Sequence, residues 1–215
     1  MEPDFWHRRW QKNEIGFHET EGNGLLKQYF DKWGLPNAAH IFVPLCGKTK
    51  DIEWFLMKGF SVVAIELNED AVKALFSELG VEPKVEPHGQ LKKYSVENLL
   101  VYVGDFFHLK ANDIANIDGT FDRAALVALP EPMRIRYSQH LREITHTKQQ
   151  FLVTFDYDQS LFAGPPFSVT NEVVNEVYSN YYDIEQLHRG KMEGGFRGEG
   201  EIYEGVYLLS QKAKK

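Results

Sequence analysis

Three short stretches of this 215-residue chain end an apolar run on residues able to grip a small molecule. The first is Pro44-Leu45-Cys46-Gly47-Lys48. A glycine in that turn lets backbone N–H groups approach a ligand closely. The turn has no G-x-G-x-x-G, so a pyrophosphate would lack its usual cradle, and a ligand without phosphates fits better. The second is Glu66, 19 residues after Gly47. That is close to the ~20-residue spacing at which a strand-end carboxylate takes the ribose hydroxyls of an adenosine cofactor. A carboxylate accepts two hydrogen bonds, which suits a vicinal diol. The third is Gly104-Asp105-Phe106-Phe107, where an acid can accept from an adenine amino group while the adjacent ring packs on the base. Gly-Asp also makes ordinary turns, so the weight lies in all three strand ends lining up.

Other reactive side chains point to less. Cys46 is the single cysteine, which excludes an internal disulfide framework and a cysteine-based zinc site. Its apolar turn suits a buried structural thiol better than a nucleophile. The eight histidines form no H-x-x-x-H or histidine–carboxylate constellation, so no metal is expected. Arg123, inside a strand pattern, is harder to explain as surface decoration, although a salt bridge to Asp122 or Glu66 would also account for it.

The elements that must position these residues alternate. Residues 1–35 are aromatic and charged, with Asp4 as a candidate cap for a first helix carrying Phe5, Trp6 and Trp10. In 23–33, Leu25, Leu26, Tyr29, Phe30 and Trp33 share one helical face, and Gly34 and Pro36 stop it. Strands are predicted at 40–45, 61–67, 99–103, 121–126 and 150–156. Helices are predicted at 51–58, 69–79 (capped by Asn68 and ended by Gly80), 131–145 and 171–178. Residues 81–98 read as an insertion or short hairpin. Two last strands, 182–188 and 201–210, are joined by a glycine-rich loop without helical pattern, which predicts an antiparallel pair. The fold class expected is α/β: a Rossmann-like, seven-stranded, mostly parallel sheet with helices on both faces and a C-terminal antiparallel hairpin.

Composition narrows the partners. A formal net charge of −7 argues against a nucleic-acid backbone. No stretch approaches the ~20 apolar residues that span a bilayer, and the start of the chain lacks the apolar core of a signal peptide. The expectation is a cytoplasmic monomer acting on a small molecule, with no membrane partner.

The sequence resembles the thiopurine S-methyltransferase family in its bacterial form, among the class I S-adenosylmethionine-dependent methyltransferases. The resemblance covers nearly the whole chain. It rests on F-W-H-R-R-W (Phe5 to Trp10), I-G-F-H (Ile15 to His18), V-P-L-C-G-K (Val43 to Lys48), V-A-I-E-L (Val63 to Leu67), F-D-R-A-A-L-V-A-L (Phe121 to Leu129) and G-P-P-F (Gly164 to Phe167). It implies one methyltransferase domain over 1–215, with 1–35 as a helical cap over the active site. It further implies that Trp10, Leu45, Gly47, Glu66 and Arg123 bind S-adenosylmethionine, with Asp105 and Phe106 beside the adenine. Phe17, Pro165, Pro166 and Arg197 match positions lining the methyl acceptor.

The activity implied is in-line methyl transfer to a thiol or thiolate, with no assigned catalytic residue, leaving S-adenosylhomocysteine. Halide, sulfide or selenium and tellurium species are the alternative acceptors. A nicotinamide-dependent oxidoreductase and a non-catalytic cofactor-binding protein are more distant readings.

Overall fold

In a computed structural model, which describes residues 3–114, 116–193, 195–196 and 200–213, the chain forms two units that divide after Gly119. The first unit opens with α1 (Pro3–Gln11) and α2 (Gly24–Trp33). It continues through β1 (His40–Val43), α3 (Lys50–Met57), β2 (Ser61–Glu66) and α4 (Glu69–Leu79). It closes with β3 (Lys84–His88), β4 (Leu91–Val96) and β5 (Leu99–Val103). Its strand order is β3-β4-β5-β2-β1. The central strands β1, β2 and β5 run parallel, with Ile41 opposite Val62 and Val62 opposite Leu99.

Local chemistry sets most boundaries. Asn23 caps α2 by accepting from Leu26 N at 2.8 Å, and Gly34 ends it in the left-handed region at φ 68°. Asn68 and Gly80 do the same for α4. Asp4 differs from expectation: it lies in the first turn of α1 rather than at its cap, where its charge still faces the positive helix end.

The expected seven strands become nine among the described residues, because 81–98 folds as the β3–β4 hairpin and pairs antiparallel with β5. Pro87 and the exposed charges of β3 suit an outer strand, where a missing N–H costs no ladder bond.

The second unit contains β6 (Gly119–Arg123) from its second residue on, α5 (Glu131–Thr145), β7 (Gln149–Asp156), α6 (Asn171–Tyr178), β8 (Tyr182–Lys191) and β9 (Tyr203–Gln211). Its order is β6-β7-β9-β8. The expected terminal hairpin is present: β8 and β9 pair antiparallel, Ile184 opposite Leu209, with an irregularity between Gln186 and His188. Strand β6 stops three residues short of expectation, because Ala124 takes a left-handed φ of 61°.

Each unit has its own core. In the first, Phe30 meets Trp54 and Phe60 edge to face at 5.0 and 5.3 Å. In the second, Phe121, Tyr137, Phe151, Tyr178 and Tyr182 are buried. Burying one such ring contributes about 1.5–3 kcal/mol. Among the described residues no helix is long and apolar enough to cross a membrane.

Candidate active site

In the first unit the three strand ends are hydrogen-bonded to one another through Glu66. The turn after β1 is sharp: Leu45 and Gly47 both have left-handed φ, 48° and 54°. Cys46 N donates to Ile65 O at 2.9 Å, which ties that turn to β2. Gly47 N donates to Glu66 Oε2 at 2.8 Å, and Asn68 N donates to Glu66 Oε1 at 2.8 Å. Gly104 N donates to Glu66 O at 2.9 Å, which brings in the end of β5. Burial pushes the Glu66 carboxyl above its usual range, against the pull of hydrogen bonds from Asn68, Gly47 and Leu67 N–H.

Gly47 is favoured by its left-handed backbone, and a side chain there would also crowd Trp10. A Cβ there would lie 3.1 Å from Trp10 Cζ2, so the indole rests on the bare glycine. Trp10 and Trp6 each meet Phe17 edge to face, with centroids 5.6 and 5.9 Å apart. His7 Nδ1 lies 3.1 Å from Asn68 Nδ2, a second point at which α1 meets the turn after β2. Trp10, Phe17, Leu45, Gly47 and Glu66 are therefore brought together within one unit.

At the third strand end, Asp105 is exposed, and one of its oxygens accepts from Phe107 N at 3.0 Å. This is the turn chemistry that Gly-Asp permits. Phe106 beside it is buried. The Cys46 thiol is also buried; desolvation and the neighbouring Glu66 charge push its pKa well up, so it is a structural thiol.

Several supporting residues carry no signal in the sequence. Asp51, fully buried, accepts from Asn23 N at 2.6 Å and from Thr49 Oγ1 at 2.8 Å, anchoring the start of α2 to the start of α3. Lys48 and Lys50 both reach Glu78 of α4, at 2.7 and 3.3 Å. Asn68 was legible as a helix cap, but its backbone contact with Glu66 was not. Among the described residues no group of three or more His, Cys, Asp or Glu is placed to hold a metal ion.

In the second unit Arg123 is the last residue of β6, half-buried, and the left-handed Ala124 follows it. The neighbouring Asp122 is fully buried; its oxygens accept from Leu126 N at 3.0 Å and Tyr137 Oη at 2.7 Å. Phe167 N donates to Val127 O at 2.6 Å, joining the Pro165-Pro166 loop to the turn after β6. Arg197 lies outside the described residues.

Burial moves Asp122 from 3.8 up to about 6, against the hydrogen bonds from Leu126 and Tyr137. An acid raised in this way binds its proton more tightly folded than unfolded. Stability therefore falls as pH rises between those two values, and the full cost of the ionised group is carried above about pH 6. That cost is about 3 kcal/mol at neutral pH. Asp122→Asn should flatten this decline and be the more stable form at neutral pH. Denaturant midpoints at about pH 5 and about pH 7.5 check it, and equal pH dependence in parent and variant would overturn the assignment.

A family model described as thiopurine S-methyltransferase matches residues 1–212. The chain is 46% identical to the thiopurine S-methyltransferase of Xanthobacter autotrophicus, over 98% of this chain and 100% of that protein. It is 45% identical to that of Teredinibacter turnerae, over 98% of each. Among solved structures, a S-adenosylmethionine-dependent methyltransferase from Anabaena variabilis shares the fold with a TM-score of 0.66 at 12% identity, covering 98% of this chain and 95% of that one. So does the 1,6-didemethyltoxoflavin-N1-methyltransferase of Burkholderia thailandensis, solved with S-adenosylhomocysteine, with a TM-score of 0.64 at 14% identity over 97% and 86%. With its Rossmann-like strands and a family match that runs almost end to end, the chain belongs to the thiopurine S-methyltransferase family and is an S-adenosylmethionine-dependent methyltransferase.

Proposed function

We propose that the chain acts as a monomer and as one methyltransferase domain over its whole length, transferring methyl to the sulfur of a small thiol or thiolate. The observation that carries the reading is the Glu66 carboxylate, seated on Gly47 N–H and Asn68 N–H beside a glycine covered by Trp10. Gly47 N–H and Asn68 N–H each take a lone pair on a different carboxylate oxygen and Leu67 N–H adds a weaker contact, which leaves the carboxylate acceptor capacity for a ribose hydroxyl. The turn offers no phosphate cradle, which also suits S-adenosylmethionine. When bound, that cofactor supplies an electrophilic methyl on a sulfonium sulfur.

The chain's own residues supply position. Leu45, Gly47 and Glu66 take the ribose end, and Asp105 and Phe106 flank the adenine. Arg123 anchors the carboxylate of the methionine part. Residues 1–35 cap the site, so that Trp10 and Phe17 exclude water from the transfer region. Phe17, Pro165 and Pro166 line the acceptor, and Arg197 favours an anionic one. A thiol of low pKa arrives largely ionised, so no strong general base is needed. Proximity and alignment then contribute up to roughly 7–11 kcal/mol of barrier lowering.

An acceptor panel with methyl-labelled cofactor tests the reading: aromatic thiols, thiopurines, sulfide, iodide, selenite and tellurite. The expected result is the highest kcat/KM with aromatic thiols or thiopurines. Label transferred to iodide, sulfide, selenite or tellurite but not to thiols would overturn the thiol assignment.

A further inference from the structure

The segment carrying Pro165 and Pro166 is held by hydrogen bonds that converge on a buried tyrosine. Tyr157, 6% exposed, donates from Oη to Pro166 O at 2.6 Å. The same Oη accepts from Gln159 Nε2 at 3.1 Å. Gln159 Nε2 also donates to Phe162 O at 2.6 Å, while its Oε1 accepts from Ser168 N at 2.8 Å. Ser168 in turn accepts at Oγ from Tyr157 N at 3.1 Å and at its carbonyl from Arg134 Nη1 at 2.9 Å.

These partners determine the direction of the Gln159 amide and Tyr157 hydroxyl protons. Reversing the Gln159 amide would set its NH2 against Ser168 N–H and its oxygen against the Phe162 carbonyl. With Gln159 donating to the tyrosine oxygen, the single hydroxyl proton of Tyr157 is left for Pro166 O. The Tyr157 ring is separately fixed, edge to face with Phe162 and Phe196 at 5.7 and 5.5 Å. The turn itself needs Gly164, at φ 71°, because a Cβ there would meet Phe167 Cδ1 at 2.6 Å.

We propose that Tyr157, its hydroxyl aimed by Gln159, is a positioning residue that sets the Pro165-Pro166 wall for the methyl acceptor. The proposal rests on the reading that these prolines line the acceptor pocket. Tyr157 acts through Pro166 and does not touch the reacting atoms. Its loss should therefore loosen acceptor binding and leave the cofactor alone.

Tyr157→Phe keeps the ring and its aromatic contacts and removes only the hydroxyl. The expected result is a KM for an aromatic thiol raised about three- to tenfold, the worth of one hydrogen bond. kcat and S-adenosylhomocysteine affinity should stay within about twofold. Gln159→Ala should shift KM in the same direction. Because Gln159→Ala also frees Phe162 O and Ser168 N, it should cost at least as much as Tyr157→Phe, and the double variant should fall short of the product of the two single effects, since both act through the Tyr157–Pro166 bond.

Pro166→Ala alters the wall directly and separates the two hypotheses. If it raises KM while Tyr157→Phe does not, the positioning role is overturned and the pocket reading stands. If neither moves KM although the cofactor still binds, the pocket reading fails and takes this proposal with it. If Tyr157→Phe weakens cofactor binding as much as acceptor binding and lowers the unfolding midpoint, its role is general support, and the proposal fails.

Discussion

Glu66→Gln is expected to weaken S-adenosylhomocysteine binding by 10²-fold or more while leaving the chain folded. The carboxylate accepts on both oxygens, from Gly47 N and from Asn68 N. Glutamine has one oxygen and one NH2, so in either orientation a donor faces a backbone donor. One charge-assisted bond becomes a repulsive contact and the other loses its charge, at about 1.5–3 kcal/mol each. That cost falls on the turn with or without cofactor; affinity falls because the ribose hydroxyls lose their charged acceptor, at about 1.5–3 kcal/mol for each bond lost, or roughly 10²–10⁴ for two. The variant also removes a lone pair that a ribose hydroxyl would use. The folding cost is offset in part, because glutamine escapes the desolvation that raises the Glu66 carboxyl. Calorimetric titration with S-adenosylhomocysteine, alongside a thermal unfolding scan, reads the two effects apart. Affinity within threefold of the parent would sink the ribose assignment.

The second large effect is expected from Gly47→Val. The residue has φ 54°, and its Cβ would lie 3.1 Å from Trp10 Cζ2 and 3.4 Å from Cη2. A Cβ in the left-handed region costs roughly 1–2 kcal/mol, and a β-branched side chain costs more. The branch also has to displace the indole, so cofactor binding should fall beyond calorimetric detection. A total of about 2–4 kcal/mol corresponds to an unfolding midpoint lowered by roughly 5–12 °C in a chain of this size. Gly47→Ala should be milder. Adding Trp10→Phe to it should recover part of the lost midpoint, because the six-membered part of the indole is what the new methyl meets. No recovery in the double variant would place the cost in the backbone rather than in the Trp10 contact.

Both predictions concern residues that the sequence singles out, yet the reasons differ from those the sequence offers. The spacing of Gly47 and Glu66 points to a glycine for ligand approach and a carboxylate for a ribose. In the folded chain Glu66 also organises protein: its side chain holds the β1 turn and its carbonyl holds the β5 turn. Gly47 likewise faces Trp10 of α1.

What the sequence determined by itself is what a few neighbouring residues decide. Asn68, Gly34 and Gly80 bound helices through their own side chains or dihedrals, whereas Asn23, placed inside its helix by the pattern, caps it instead. The apolar stretches that became β1, β2 and β5 were legible for the same reason, as was the terminal hairpin. Tertiary structure decided the rest. The pairing of β3–β4 with β5 and the hydrogen bond of Tyr137 to the buried Asp122 join residues of different elements. No local pattern announces the contact of Tyr157 with Pro166 either. Helix caps and turns close their hydrogen bonds within a few residues. Glu66 meets Gly47 only because parallel pairing of β1 and β2 brings their ends level.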